Sequence, residues 1–224
     1  TPIQVSKEYL AHDFKIAVGN IIPHMYAGWA GGAKMIQPGV TSALTTAKTH
    51  LLAARNIKDI LGNAENPIRQ EMEEIAIRTG LDFIVNTVID NFNTVVAIVA
   101  GDVVAAHRKG VGLAQPLFIH EIEKKASVVI AGGRPADRDL WQGFKPLNNC
   151  GVAVKDGGVL ILVIEAPEGI APDHPELVAL CQKSVDTVLQ MLSRHEIEDE
   201  VAAATYMAYC ATRDRMTIIL VSDG

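Results

Sequence analysis

The sequence predicts an α/β protein made of two α/β domains, the second a three-layer sandwich around a mainly parallel sheet. Short apolar runs rich in Val and Ile alternate with longer segments of helical spacing. This alternation is typical of parallel strands joined by right-handed crossover helices. Hydrophobic residues make up 49% of the 224 residues and charged residues 21%, so the chain has enough apolar material for a buried core.

The first half is predicted to contain three strands and three helices. Asn66 followed by Pro67 is a strong helix start, because Asn caps the first free N–H groups and Pro fits the first helical position. The polar run 90–93 between two apolar segments has the composition of a hairpin turn. In chain order, we expect a strand over 14–22, a helix from Thr41 or Ser42 to about Arg55, a helix from Asn66 to Gly80, strands over 83–89 and 94–99, and a helix from Asp102.

The second half shows a plainer alternation of strand and helix. Gln115-Pro116 is expected to interrupt a helix, which places the boundary between domains 1–115 and 120–224. Because the last apolar strand is followed only by Ser-Asp-Gly, we expect a truncated second domain in a piece of a longer protein. The predicted strands cover 127–131, 158–165 and 217–221, and the helices cover 137–147, 175–194 and 202–212.

Charge and composition exclude several classes of partner. The net charge is −6, with 26 acidic against 20 basic residues and no basic block, which argues against nucleic acid or an anionic membrane as the main partner. Since no apolar run reaches the length of a membrane span, no transmembrane helix is predicted. Three widely spaced cysteines argue against a disulfide framework, so we expect a cytoplasmic protein.

The segment from His24 to His50 carries the most chemical information. A strand enters a glycine-rich turn, Lys34 stands at its exit, and His50 follows on the next helix. Gly31 and Gly32 would let the backbone approach a ligand closely, and a helix starting near residue 32 would point N–H groups at an anion. The turn is not a Walker A loop, because Ala precedes Lys34 and Met follows it. A generic phosphate-binding turn is the alternative interpretation.

These residues resemble the nickel-dependent lactate racemase family. The resemblance rests on spacings of ten residues from His24 to Lys34 and sixteen from Lys34 to His50, and it continues in order over most of the chain. The matching strings are Gly19-Asn-Ile-Ile-Pro-His24, Gly28-Trp-Ala-Gly-Gly-Ala-Lys34, Asn66-Pro-Ile-Arg-Gln-Glu-Met72, Gly132-Gly-Arg-Pro-Ala-Asp137 and Trp141-Gln-Gly-Phe-Lys145.

The resemblance implies a racemase or epimerase of a small, lactate-like 2-hydroxy acid. Its cofactor would be a nickel pincer nucleotide, the Ni(II) complex of pyridinium-3-thioamide-5-thiocarboxylic acid mononucleotide, made by cofactor-maturation proteins. Lys34 would be joined covalently to the cofactor, beside Gly31 and Gly32, and His50 would be the protein ligand of nickel. His24 would be an acid/base residue, because imidazole exchanges protons near neutral pH.

The same resemblance assigns two residues of the second half to the substrate. Gln142 and Lys145 stand three apart on a predicted helix, so both project from one face. In the family the matching pair reaches the substrate, and an ammonium group is a sensible partner for a carboxylate. The family's second acid/base histidine belongs to a segment before residue 1, so we expect the isolated chain to be inactive.

Two other functions stay open. One is a catalytically inactive homologue that binds a ligand or cofactor, although the presence of His24, Lys34 and His50 together favours catalysis. The other is an enzyme acting on a related 2-hydroxy acid such as malate, 2-hydroxyglutarate or phenyllactate. The remaining histidines lack metal-ligand spacing and are expected to be solvated or locally bonded; they are His12, His107, His120, His174 and His195.

Overall fold

The computed structural model describes residues 2–55 and 60–223 and divides into two compact units. Unit 1 is Thr1–His120 and unit 2 is Glu121–Gly224. The division therefore falls between His120 and Glu121.

Unit 1 is built around a three-stranded sheet. A two-stranded ribbon and a short 3₁₀ helix lie between the first strand and the first long helix. The elements are α1 (Lys7–Leu10), β1 (Ile16–Asn20), β2 (Pro23–His24), β3 (Gly28–Trp29), the 3₁₀ helix Gly32–Met35, α2 (Ala43–Arg55), α3 (Pro67–Arg78), β4 (Phe83–Ile89), β5 (Val95–Gly101) and α4 (Ala105–Phe118).

The strand order of this sheet is β1-β4-β5. β1 runs parallel to β4, with Val18 opposite Val85, and β4 runs antiparallel to β5. The predicted hairpin is therefore confirmed, and its turn is held by Asp90, whose carboxylate accepts the N–H groups of Phe92 and Thr94. A core cluster forms beneath α4, which packs on β4 and β5. Its members are Ile21, Trp29, Val88, Val99, Val111 and Ala114.

Local capping signals in unit 1 are confirmed. Ser42 accepts the N–H of Thr45 at 3.2 Å at the start of α2, and Asn66 accepts the N–H of Arg69 at 2.9 Å at the start of α3. The predicted interruption of a helix at Pro116 is wrong, because α4 continues to Phe118. Pro116 stands in the last turn of this helix, so the missing N–H removes a bond only near the helix end.

Unit 2 contains a three-stranded sheet and four helices. All strands are parallel in the order β6-β7-β8, with Ile130 opposite Ile161 and Ile161 opposite Ile219, so the predicted parallel sheet is confirmed. The elements are β6 (Ala126–Gly132), α5 (Leu140–Gly151), β7 (Val154–Val163), α6 (Glu176–Leu180), α7 (Val185–Ser193), α8 (Glu200–Arg213) and β8 (Thr217–Val221).

The helices of unit 2 cover one face of its sheet. α5 packs on β6 and β7, above the buried Leu160 and Leu162. On the opposite face Ile130 is 70% exposed and Ile219 is 45% exposed. The described residues thus supply two of the three layers that the sequence predicted.

Two helix boundaries in unit 2 differ from the sequence prediction. The single helix expected over 175–194 is two helices, because Ser184 caps a new start by accepting the N–H of Thr187 at 3.1 Å. α5 begins at Leu140 rather than at Asp137, since Asp139 accepts the N–H of Gln142 at 2.7 Å. Within the described ranges, no helix combines the length and apolar character needed to cross a bilayer.

Candidate functional site

The glycine-rich segment of unit 1 folds as a tight ribbon followed by a 3₁₀ helix. β2 and β3 pair antiparallel, with His24 opposite Gly28. The chain then enters the 3₁₀ helix Gly32–Met35, which carries Lys34. This arrangement places His24 at the end of one ribbon strand and Lys34 just beyond the other.

A buried arginine holds the carbonyl groups of this segment. Arg69 on α3 is fully buried, and its guanidinium donates to the carbonyls of Ala27 at 3.4 Å, Gly31 at 3.2 Å and Trp29. Burial lowers the pKa of Arg69 to about 10, although the charge of Glu73 opposes that shift. The side chain stays cationic at neutral pH and fixes three backbone carbonyls at once.

Two further side chains fasten the same segment. The buried side chain of Asn86 on β4 accepts the N–H of Gly32 at 2.8 Å. The buried ring of His107 on α4 contacts the carbonyl of Ala30 through Nε2 at 2.9 Å. Because a carbonyl can only accept, Nε2 of His107 carries the proton. The segment is thus tied to three different elements of unit 1.

The local structure of the protein itself explains why glycine occupies both candidate cofactor-binding positions. Gly31 has φ +76° and Gly32 has φ +56°, which L side chains adopt at a cost. An added Cβ would lie 2.9 Å from the Asn86 side chain at position 31 and 2.9 Å from the His107 ring at position 32. Since Asn86 already takes the Gly32 N–H, that amide is committed to the protein rather than to an anion. Their assignment to cofactor binding stays a prediction.

A chain of charged groups lies behind His107. Arg108 binds Glu73 at 2.6 Å and Glu65 at 2.5 Å. Burial disfavours the charged form of Arg108, but its hydrogen bonds to these two carboxylates outweigh that effect and raise the pKa. Burial, reinforced by the charge of Arg69, lowers the pKa of His107 to about 3. His107 is therefore neutral in the folded protein at physiological pH.

The two candidate functional histidines of unit 1 meet around one tyrosine. The N–H of Tyr26 donates to Nδ1 of His24 at 3.2 Å, and the two ring centroids are 6.2 Å apart. The Tyr26 ring meets the His50 ring edge-on, with 4.9 Å between centroids and 65° between planes. Tyr26 is 7% exposed, whereas both imidazoles are partly exposed. The structure thus brings together two residues that are 26 positions apart in sequence.

His50 and Lys34 are each anchored by the backbone. Nδ1 of His50 lies 2.8 Å from the carbonyl of Thr46, one turn earlier on α2. The N–H of Lys34 donates to the carbonyl of Gly31 at 3.2 Å, and the lysine is partly buried. Lys34 therefore stands partly buried at the exit of a turn whose backbone is fixed.

In unit 2, α5 brings the two candidate substrate-binding residues into contact. Lys145 donates from Nζ to Oε1 of Gln142 at 2.6 Å. Burial of the amine lowers the pKa of Lys145, although the side chain as a whole remains exposed. The predicted helix face therefore exists, and its two polar groups already share a hydrogen bond.

The start of α5 is supported by aromatic and charged neighbours. Trp141 stacks on the His174 ring with 3.8 Å between centroids and 14° between planes, and Nδ1 of His174 contacts Asp199 at 2.6 Å. A small cavity of about 110 Å³ lies beside them, and Gln142 is part of its lining. His174 was expected to be solvated or locally bonded, yet its partner Asp199 is 25 positions away.

Sequence reasoning missed the residues that hold the site together. Tyr26, Arg69, Asn86 and His107 come from four separate segments, and each is buried. His107 was expected to be solvated or bonded to nearby residues, yet its partner is Ala30, 77 positions away. The sequence offers no signal for these contacts, because they depend on tertiary packing of α3, β4 and α4 against the ribbon.

Comparison with known proteins agrees with the family resemblance. The family described as "Lactate racemase N-terminal domain" matches residues 1–62. The lactate racemase of Thermoanaerobacterium thermosaccharolyticum is 35% identical over 179 residues, which cover 75% of this chain and 40% of that protein. The lactate racemase of Lactiplantibacillus plantarum is 31% identical over 168 residues, covering 74% of this chain and 40% of that protein.

Solved structures show the same fold. The lactate racemase apoprotein from Thermoanaerobacterium thermosaccharolyticum matches with a TM-score of 0.81 and 29% identity, covering 99% of this chain and 54% of that one. A crystal structure of a Thermotoga maritima protein matches with a TM-score of 0.77 at 20% identity, covering 99% and 60% of the two chains. The alignments span less than half the length of each curated relative. On these grounds the chain belongs to the lactate racemase family.

Proposed function

We propose that this chain provides the nickel- and cofactor-binding part of a cytoplasmic racemase or epimerase of a small, lactate-like 2-hydroxy acid. The observation that carries the proposal is the convergence of His24 and His50 on Tyr26, in the fold segment that also carries Lys34. These are the residues that the family pattern assigns to proton transfer, nickel ligation and cofactor attachment.

His50 has the features of a metal ligand. Its ring is partly exposed on α2, and Nδ1 is bonded to a backbone carbonyl, the usual outer partner of a metal-bound imidazole. Among the described residues, no three His, Cys, Asp or Glu side chains cluster as a metal site. The proposal asks for one protein ligand only, because the pincer nucleotide would supply the others. A single imidazole in a soft, tetragonal set suits Ni(II).

Lys34 is proposed as the attachment residue of the nucleotide. Its backbone is fixed by the 3₁₀ helix and by the Gly31 carbonyl, which Arg69 also binds. A fixed backbone limits the region that the amine can reach, which favours one product of attachment. Attachment would use the amine of Lys34 in its nucleophilic form.

His24 is proposed to exchange a proton with the substrate hydroxyl. Held by Lys34 and His50, the pincer nucleotide would supply hydride-transfer chemistry at C2 of the substrate. The chain's own contribution is to hold the imidazole of His24 in one orientation, through the N–H of Tyr26.

Gln142 and Lys145 are proposed to bind the substrate. The ammonium group of Lys145 would pair with the carboxylate, and the amide of Gln142 would serve the hydroxyl or the carboxylate. Their mutual bond of 2.6 Å means that the pair is already oriented before a ligand arrives. Such preorganisation reduces the entropy lost on binding.

The experiment that tests attachment is intact mass spectrometry of the chain after co-expression with cofactor-maturation proteins. We expect a mass increase equal to one pincer nucleotide on the wild type and on the Lys109→Ala control, whose side chain is exposed on α4. We expect no increase for Lys34→Ala. An unmodified wild type would favour the alternative function, a catalytically inactive binding protein, and an adduct on Lys34→Ala would place attachment elsewhere.

The isolated 224-residue chain is proposed to be inactive as a racemase. His24 is the acid/base histidine that the family pattern assigns to this chain; among the described residues, His107 is buried against Ala30 and His174 is engaged by Asp199 and Trp141. Racemisation needs a proton-exchanging group for each face of the substrate. Conversion of L-lactate to D-lactate by the loaded chain alone would contradict this part of the proposal.

A further inference from the structure

Gln37 lies between the two segments that carry Lys34 and His50. Its backbone N–H donates to the carbonyl of Ala33 at 3.0 Å, so the residue continues the turn that the 3₁₀ helix begins. Its side chain is fully buried and reaches α2, the helix that carries His50. Gln37 therefore contacts one segment through its backbone and the other through its side chain.

The amide group of Gln37 binds two groups of α2. Nε2 donates to the hydroxyl of Thr49 at 2.5 Å and to the carbonyl of Thr45 at 3.3 Å, and both threonines are buried. Among the described elements, α2 packs mainly on α3, and the 3₁₀ helix packs mainly on α3, β1 and β4. The amide is thus a direct tie between two elements whose main packing is against other parts of unit 1.

The hydrogen bonds of Gln37 continue to the ring of His50. The hydroxyl of Thr49 donates to the carbonyl of Thr46 at 2.9 Å. The same carbonyl lies 2.8 Å from Nδ1 of His50. A change at Gln37 is therefore passed to the His50 ring through one hydroxyl and one carbonyl.

One atom of this amide contributes nothing to stability. Oε1 of Gln37 is buried, and no described residue gives it a hydrogen bond. An unpaired buried carbonyl costs free energy, which offsets part of what the bonds of Nε2 contribute. Removal of the amide would also leave the Thr49 hydroxyl with the carbonyl to which it donates. The amide therefore adds little to the free energy of unfolding, and its main effect is to fix a position.

We infer that Gln37 is a positioning residue that fixes the separation between the segment of Lys34 and the helix of His50. The inference rests on the proposed function, in which one pincer nucleotide is attached to Lys34 and its metal is bound by His50. A group held at two points requires that those points keep one separation. Loss of a residue that orients a metal ligand without touching the metal typically lowers metal affinity by about 10- to 100-fold.

The test compares Gln37→Met with the control Gln70→Met, a change at an exposed glutamine on α3. Met keeps the length of the side chain and removes its polar atoms. After co-expression with cofactor-maturation proteins, both variants should keep the wild-type urea midpoint and the wild-type mass increase on Lys34. Gln37→Met alone should release nickel to EDTA about 10-fold faster. Release from Gln37→Met at the wild-type rate would overturn the inference.

A second measurement needs neither nickel nor nucleotide. Carbon-13 NMR of the chain labelled in histidine follows the ring signals of His50, which His50→Gln assigns. These signals should move in Gln37→Met and keep their wild-type positions in Gln70→Met. Unmoved signals in Gln37→Met would overturn the inference even if the chain loads nickel. A wild type without nickel or nucleotide would count against the proposed function and leave this result standing.

Thr49 provides a further pair of variants that leaves Gln37 in place. Thr49→Val keeps the shape of the side chain but removes the hydroxyl between Gln37 and the Thr46 carbonyl, whereas Thr49→Ser keeps the hydroxyl. Nickel should leave Thr49→Val about 10-fold faster than the wild type and leave Thr49→Ser at the wild-type rate. Because both residues act through one connection, Gln37→Met combined with Thr49→Val should release nickel no faster than the faster single variant. Equal rates for Thr49→Val and Thr49→Ser, or additive effects in the double variant, would contradict the inference.

Discussion

The guanidinium of Arg69 donates to the carbonyl of Gly31, and the same oxygen accepts the backbone N–H of Lys34. A buried cation on α3 is thus linked to the backbone of the proposed attachment lysine by two hydrogen bonds that share one carbonyl. Through the carbonyls of Ala27 and Trp29, the same guanidinium also holds the ribbon that begins at Pro23. The geometry of the site therefore depends on a residue that does not itself line it.

Replacing Arg69 with Met should destabilise unit 1 by about 3–5 kcal/mol, because three buried carbonyls lose a charged donor. Urea unfolding, followed by Trp29 fluorescence in a Trp141→Phe background, measures the free energy for this unit. The control is Arg78→Met on the same helix. Arg78 is 64% exposed in its pair with Glu74, so this change should cost less than about 1 kcal/mol. If both variants lost the same free energy of unfolding, the carbonyl contacts of Arg69 would contribute little to stability.

Replacing Gly32 with Ala should cost about 1–3 kcal/mol, because φ is +56° and the new Cβ would lie 2.9 Å from the His107 ring. The matched control is Gly112→Ala in α4, where an added Cβ meets no atom within 4 Å. That change should stabilise the helix by about 0.5–1 kcal/mol. The same fluorescence-detected unfolding measures both variants, and a stable Gly32→Ala protein would mean that the 3₁₀ helix adjusts freely.

The buried His107 should make the stability of unit 1 depend on pH. The pKa of the folded state is about 3, against 6.5 in the unfolded chain. Between these values the unfolded chain binds the proton and the folded protein does not, so stability is present above pH 6.5 and falls as the pH drops toward 3.

From pH 7 to pH 5, His107 should lower the free energy of unfolding by about 2 kcal/mol. His107→Gln removes the titrating group but keeps a hydrogen-bond donor for the Ala30 carbonyl. We therefore expect the loss between these two pH values to be about 2 kcal/mol smaller in the variant than in the wild type. Carboxylates that titrate in the same range act in both proteins and cancel in the difference. Parallel stability curves would indicate that the pKa of His107 is the same in the folded and unfolded states.

Local sequence signals predicted most of the elements. Asn66-Pro67, Ser42 and the 90–93 turn each act through contacts within a few residues, so their effect is readable from sequence and is confirmed. The break at Ser184 was missed because a serine inside an amphipathic segment is compatible with a continuous helix as well as with a new cap.

The site itself was only partly predictable. His24, Lys34 and His50 could be selected from their spacing, and the structure brings His24 and His50 to the same tyrosine. Sequence could not predict that Arg69 binds backbone carbonyls or that His107 is buried and neutral. Their partners are about 40 and 77 positions away in sequence. Packing between elements decides which residues anchor a loop, and local sequence patterns do not predict those residues.

The most direct test of the central claim is the nickel content of the purified chain after co-expression with cofactor-maturation proteins, measured by elemental analysis alongside intact mass. The account predicts about one nickel per nucleotide-loaded wild-type chain. His120→Ala, an exposed histidine outside the site, should retain that nickel. His50→Ala should lose most of it while Lys34 keeps the organic adduct. Full nickel occupancy in His50→Ala, or an adduct with no nickel in the wild type, would contradict the claim that His50 is the protein ligand of a metallated group on Lys34.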